Sequence, residues 1–135
     1  MVDDDVLQSA KLPSTLDWAL DLESKRTLRA LAHPAYILAH RGVRTEIADL
    51  VDRNIEDKLR RAEEIARWLR ERGAVTQTDA ERLLWEKLGL HSRHFLPQVV
   101  FRRNVRCALE YLVQTGRLRI QFQDGTVYYT PVDSV

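Results

Sequence analysis

Three arginines, Arg102, Arg103 and Arg106, sit within one stretch whose apolar residues recur at helical spacing. Phe101, Val105, Ala108, Leu109 and Leu112 mark one side of that stretch. Arg102, Arg103, Arg106 and Glu110 mark the other, with Val99 and Val113 between them. A guanidinium is a planar fork that donates paired hydrogen bonds, which suits it to phosphate oxygens and to the major-groove edge of guanine. Arg117 and Arg119 follow on an alternating segment, where they would reach a neighbouring phosphate or the minor groove. Arg93 precedes the helix and would stand near the same surface. These six residues are the candidate DNA-binding set; for the three on the helix, a solvated face is the plainer alternative.

Other chemistry is poorly represented. Lys58, Arg60, Arg61, Arg67, Arg70 and Arg72 form a second basic cluster, but Glu56, Asp57, Glu63, Glu64 and Glu71 interleave with it. Spacings such as Glu63–Arg67 and Glu56–Arg60 predict an exposed, salt-bridged helix face. His91 and His94 flank Ser92-Arg93 at a spacing that some metal sites use, yet neither a cysteine pair nor a local carboxylate completes a zinc set. There is no Gly-rich phosphate loop, no nucleophile elbow and no acidic pair in a hydrolytic setting. The sequence thus predicts neither an enzyme nor a metal or cofactor site.

The elements that must hold the arginines are legible from start and stop signals. A helix from Pro97 runs to Gly116, which suits the left-handed position past a helix end. Leu118, Ile120 and Phe122 alternate with polar residues, and Asp124-Gly125 predicts a type I′ turn into Val127 to Thr130, with Pro131 as a stop. Upstream, Thr76 or Thr78 caps a helix over Asp79 to Leu88, followed by a loop to Leu96. Thr45 caps a long helix to Arg72, striped by Ile47, Val51, Ile55, Leu59, Ala62, Ala66 and Leu69. That stripe suits either a core helix kinked near Asn54 or an arm that pairs with a second subunit. Ser14 opens a first helix with Leu16, Leu20, Leu28 and Leu31, together with Trp18 and Ala19, on its apolar side, and Pro34 suggests a short second helix over 33–41, closed by Gly42. Trp18, Trp68 and Trp85 are expected to anchor helix packing.

At 135 residues and 44% hydrophobic content, the chain can bury one core. Its net charge of +1 is unevenly spread. In residues 1–23 Lys11 stands against six carboxylates, whereas residues 58–135 hold fourteen Lys and Arg against nine Asp and Glu. Cys107, the single cysteine, is expected as a small core residue in a reducing compartment. The acidic start is unlike a signal peptide, and no run approaches a membrane span, so a cytoplasmic protein is expected.

From Ile65 onward, the order of helix, helix, helix and two-stranded wing resembles the winged-helix repressors of the metal-sensing and drug-resistance type. The resemblance is carried by Ala108-Leu109-Glu110-Tyr111-Leu112-Val113-Gln114-Thr115-Gly116-Arg117-Leu118 and by Asp124-Gly125-Thr126-Val127-Tyr128-Tyr129. It covers residues 65–130 as a pattern. The metal-sensing family's cysteine ligands are missing, and about eight residues, Gly89 to Leu96, replace the usual short turn before the last helix.

The resemblance implies a mainly α fold, a winged helix-turn-helix with an N-terminal helical extension. It divides as a disordered acidic tail (1–12), a helical extension or dimerisation arm (13–57) and a winged-helix domain (58–135). It further implies a sequence-specific, dimeric transcriptional regulator that binds double-stranded DNA. Arg93, Arg102, Arg103, Arg106, Arg117 and Arg119 would contact DNA, and Ile47, Val51, Ile55, Leu20 and Leu28 would form the dimer. The alternative is a winged helix that docks a protein partner in a larger assembly.

Overall fold

Capping chemistry sets most of the element boundaries in the computed structural model, which describes residues 11–38 and 42–132. Helix α1 (Trp18–Ala30) opens at Asp17, whose carboxylate accepts the Leu20 N–H at 2.9 Å. A short hairpin, β1 (Tyr36–Leu38) against β2 (Gly42–Arg44), leads to α2 (Ala48–Arg72), one continuous 25-residue helix. Helix α3 (Gln77–Lys87) begins with a capping box. The Thr76 hydroxyl accepts the Asp79 N–H at 3.2 Å, and the Asp79 carboxylate accepts the Thr76 N–H at 3.1 Å. Helix α4 (Phe95–Gln114) then feeds the C-terminal hairpin, β3 (Leu118–Gln123) and β4 (Thr126–Pro131).

The join between α4 and β3 is tight because Gly116 adopts a φ of +73°. That conformation lets the Arg117 N–H reach the Leu112 carbonyl at 2.9 Å and the Gly116 N–H reach Val113 at 3.0 Å, satisfying two otherwise orphaned helix carbonyls. At the hairpin tip Asp124 and Gly125 both have positive φ, +49° and +76°, as the type I′ turn requires. The register runs from Gln123 opposite Thr126 to Leu118 opposite Pro131. Val75, between α2 and α3, exchanges two backbone hydrogen bonds with Tyr129, at 3.0 and 2.8 Å. The hairpin is thereby fastened to the α2–α3 connection as well as to the end of α4.

The fold is mainly helical with this two-stranded antiparallel hairpin at its C-terminal end. One core gathers Trp18 and Leu22 of α1, Ile65 and Leu69 of α2, Leu84 of α3, Val105, Leu109 and Leu112 of α4, and Leu118 and Tyr129 of the hairpin. Trp18 meets Tyr111 with ring centroids 5.7 Å apart. Trp85 meets Phe101 edge-to-face at 5.1 Å, whereas Trp68 lies half-buried against the core. Cys107 is buried in the same cluster, and burial pushes its thiol above the ordinary value.

Several expectations are corrected. The second helix over 33–41 is absent from its described part: Tyr36 to Leu38 are a strand, and 39–41 lie outside the described residues. Pro34 is suited to any extended connection as well as to a helix start. On α1, Trp18 and Ala19 meet the core as expected, but Leu22 and the stem of Lys25 join them while Leu16, Leu20 and Leu31 are exposed. Of the expected tail, residues 1–10 lie outside the described residues, and Leu12 is buried in the core. The boundary placed at 57/58 falls inside α2. Asn54 donates to the Leu50 carbonyl at 2.8 Å within that helix. The pairs expected at Glu63–Arg67 and Glu56–Arg60 give way to Arg60 with Asp57 and Glu64, and Arg61 with Glu64.

Candidate nucleic-acid interface

Helix α4 is buried from Phe101 onward on its inner side, through Asn104, Val105, Ala108, Leu109 and Leu112. Its first six residues are almost wholly exposed. The sequence reading began this helix at Pro97; it begins at Phe95, because proline is tolerated anywhere in the first turn, where N–H groups lack helical partners. Successive steps of three and four residues place Phe95, Leu96, Val99, Arg102, Arg103, Arg106 and Glu110 on one outward stripe. The stripe is apolar at the start of the helix and basic further on.

The arginines differ in how they are held. Glu81 of α3 is buried, and each of its oxygens is engaged: Gln77 Nε2 donates to Oε1 and Arg102 Nε to Oε2, both at 2.9 Å. Nε is the Arg102 nitrogen engaged among the described residues, and the side chain as a whole is 63% exposed. Arg106 is held in the same way, Nε to Glu110 at 2.9 Å, and that carboxylate raises the Arg106 pKa. Arg103 donates to the Ser14 hydroxyl at 3.3 Å. Burial raises the Tyr129 hydroxyl pKa and Glu110 adds to it, against Arg106, so the basic end of the stripe adjoins β4.

The hairpin arginines separate. Arg117 turns to α2 and pairs with Glu63, whereas Arg119 is exposed and has no ionic partner among the described residues. Arg93, before α4, is likewise exposed and without an ionic partner among them. The structure thus gathers Arg102, Arg103 and Arg106 on one stripe, gives Arg93 and Arg119 no ionic partner among the described residues, and directs Arg117 to Glu63.

An open cleft of about 460 Å³ lies beside the stripe, lined by Glu81, Arg82, Trp85, Gln98, Phe101 and Arg102. The Gln98 side chain donates to the Ser92 carbonyl at 3.2 Å across its edge. Two contributors escaped the sequence reading: Glu81, which positions Arg102 from another helix, and the apolar group Phe95, Leu96 and Val99. The second was legible in principle, since Phe-Leu-Pro-Gln-Val-Val opens an amphipathic helix with apolar residues on both sides.

The five residues expected at a dimer interface are distributed differently. Ile47 and Val51 are buried within this chain, Ile55 and Leu28 are half-buried, and Leu20 alone is exposed. No cluster of three or more metal-ligating side chains occurs among the described residues, and no helix there is long and apolar enough to cross a membrane. Comparison with protein-family models, curated proteins and solved structures finds no match to this chain.

Proposed function

We propose that residues 48–132 form a winged helix and that the protein binds double-stranded DNA, with α4 in the major groove and the hairpin as its wing. In this reading it acts as a sequence-specific transcriptional regulator. The observation that carries the proposal is the Glu81–Arg102 pair. A buried carboxylate with a hydrogen bond to each oxygen holds a guanidinium by Nε, while the arginine side chain remains 63% exposed. Such a fork matches guanine O6 and N7, or two phosphate oxygens, with little ordering left to do on binding. Arg106, one turn on, is also engaged through Nε, by the half-exposed Glu110 of the same helix, and Arg93, Arg103 and Arg119 are cations without an ionic partner among the described residues, suited to phosphate.

A second reading, docking to a protein, has its own support. Ile120 and Phe122 lie on the hairpin face that continues from buried Leu118, yet both are exposed beyond the core. Salt dependence separates the two. Three phosphate contacts predict that log affinity for duplex DNA falls with log salt at a slope of about −2.7. Fluorescence anisotropy with a labelled random-sequence duplex measures it. Absence of binding at low salt, or a slope near zero, would refute the DNA reading.

A further inference from the structure

Resting on the DNA reading, we infer that the first two turns of α4 select thymine, with Phe95, Leu96 and Val99 packing on C5-methyl groups in the major groove. These side chains are 79%, 69% and 44% exposed, and they share the outward stripe with Arg102 and Arg106. Exposed apolar groups on the body of a small protein are ordinary when scattered. Here three adjoin at the exposed start of the helix that carries the arginines.

The chemistry of the groove narrows what they can read. From Phe95 to Phe101 the helix has no charged residue, and its one polar side chain, Gln98, is turned back to the Ser92 carbonyl. Guanine, adenine and cytosine present only hydrogen-bonding groups to the major groove; thymine alone also presents a methyl. Apolar side chains pressed against N7, O6 or an exocyclic amine would strip water from them and return nothing. Against thymine methyls they bury apolar surface on both sides. The rise per residue puts Arg106 about 16 Å along the helix axis from Phe95. One groove-lying helix could therefore read thymines at its start and guanine further on.

Charge favours a polyanion over an apolar protein surface as the occupant. Between Leu88 and Leu109 the sequence has no Asp or Glu, although the whole chain has 20, and it has four arginines: Arg93, Arg102, Arg103 and Arg106. The apolar group is thus bracketed by cations in sequence, Arg93 before it and the other three after it.

The test uses the whole protein and a site selected from a random duplex pool. Each thymine in the selected site is replaced singly by deoxyuridine, which removes the methyl and keeps every hydrogen-bonding group. The inference expects adjacent thymines at which the replacement weakens binding on the order of fourfold each, the equivalent of one buried methylene. It also expects Leu96→Ala with Val99→Ala to bind thymine and deoxyuridine sites nearly alike, with circular dichroism confirming the fold. Salt-dependent DNA binding that ignores every deoxyuridine substitution, or a selected site without thymine, overturns the inference and leaves the DNA reading in place. Unaltered site preference in a Phe95→Ser, Leu96→Ser variant assigns the group to protein contact and overturns it likewise. Failure to bind any duplex overturns both.

Discussion

Asp21 should be far less replaceable than the lysine it holds. Its carboxylate receives both Lys25 and Lys58, so the junction of α1 and α2 contains two ammonium groups and one carboxylate. Lys25 and Lys58 are buried, and Lys58 also donates to the Thr15 hydroxyl at 2.9 Å and lies 5.4 Å from the Trp18 ring centroid. Burial alone would raise the Asp21 pKa, but the hydrogen bonds and charges of the two lysines hold it below the ordinary value. Burial pushes Lys58 down, and Asp21 only partly offsets this.

Asp21→Asn leaves two cations facing each other with only the more distant charge of Asp17 acting on Lys58, and removing one partner of a buried pair costs about 3–5 kcal/mol. Partial exposure of Asp21 places the expected loss near the lower end, about 3 kcal/mol, or roughly 10 °C in midpoint for a chain of this size. Lys58→Met removes the surplus cation, keeps the apolar stem and leaves Asp21 with Lys25; its expected effect is within about 1 kcal/mol of zero. The pH signs follow from proton uptake. In the wild type, the Asp21 contribution is present above the ordinary carboxylate pKa and is lost as pH falls through its lower folded value. In Asp21→Asn, Lys58 binds a proton more weakly folded than unfolded, so stability rises as pH approaches the lysine range. Urea unfolding followed by tryptophan fluorescence measures both variants. An Asp21→Asn loss below about 1 kcal/mol, or a Lys58→Met loss larger than it, would refute the reasoning.

Other perturbations are sharply assigned. Thr76→Ala breaks the capping box of α3 and should cost about 1 kcal/mol in urea unfolding. Gly125→Val places a β-branched residue at φ +76° and should cost roughly 1–3 kcal/mol, with hydrogen-exchange protection lost chiefly in β3 and β4. Glu81→Gln keeps a hydrogen bond to Arg102 but removes the ion pair; preference for the selected DNA site over random duplex should fall several-fold while the salt slope stays the same. A changed slope with intact preference would place Arg102 on phosphate instead of a base.

Local rules made the C-terminal half legible. Gly116, the Asp124-Gly125 turn and the extended run each specify backbone geometry within a few residues, and the structure follows all three, although of the alternating residues Leu118, Ile120 and Phe122 only Leu118 is buried. The inner face of α4 was equally clear, because burial at three- and four-residue spacing is what a helix against a core requires. The N-terminal half depends on distant partners. Whether Tyr36 to Leu38 joins a helix or a strand is decided by pairing with Gly42 to Arg44, which no local propensity specifies. On α1, Trp18 enters the core as its place in the apolar pattern suggests, but leucines at 16, 20 and 31 do not; Leu22 is buried instead, and Lys25 finds its anion at Asp21. The site shows the same division. The arginine stripe was readable, whereas Glu81, 21 residues before Arg102, comes to it only through the packing of α3 on α4.

The central claim is that Arg102 and Arg106 present preorganised forks to DNA. Its most direct measurement is the affinity of Arg102→Ala with Arg106→Ala for a selected duplex at fixed salt, beside the wild type. Loss of about 2–5 kcal/mol of binding free energy is the predicted result, with circular dichroism confirming that the variant, in which buried Glu81 loses its ionic partner and the thermal midpoint falls, is still folded at the assay temperature. Equal affinity of the two proteins for that duplex would contradict it.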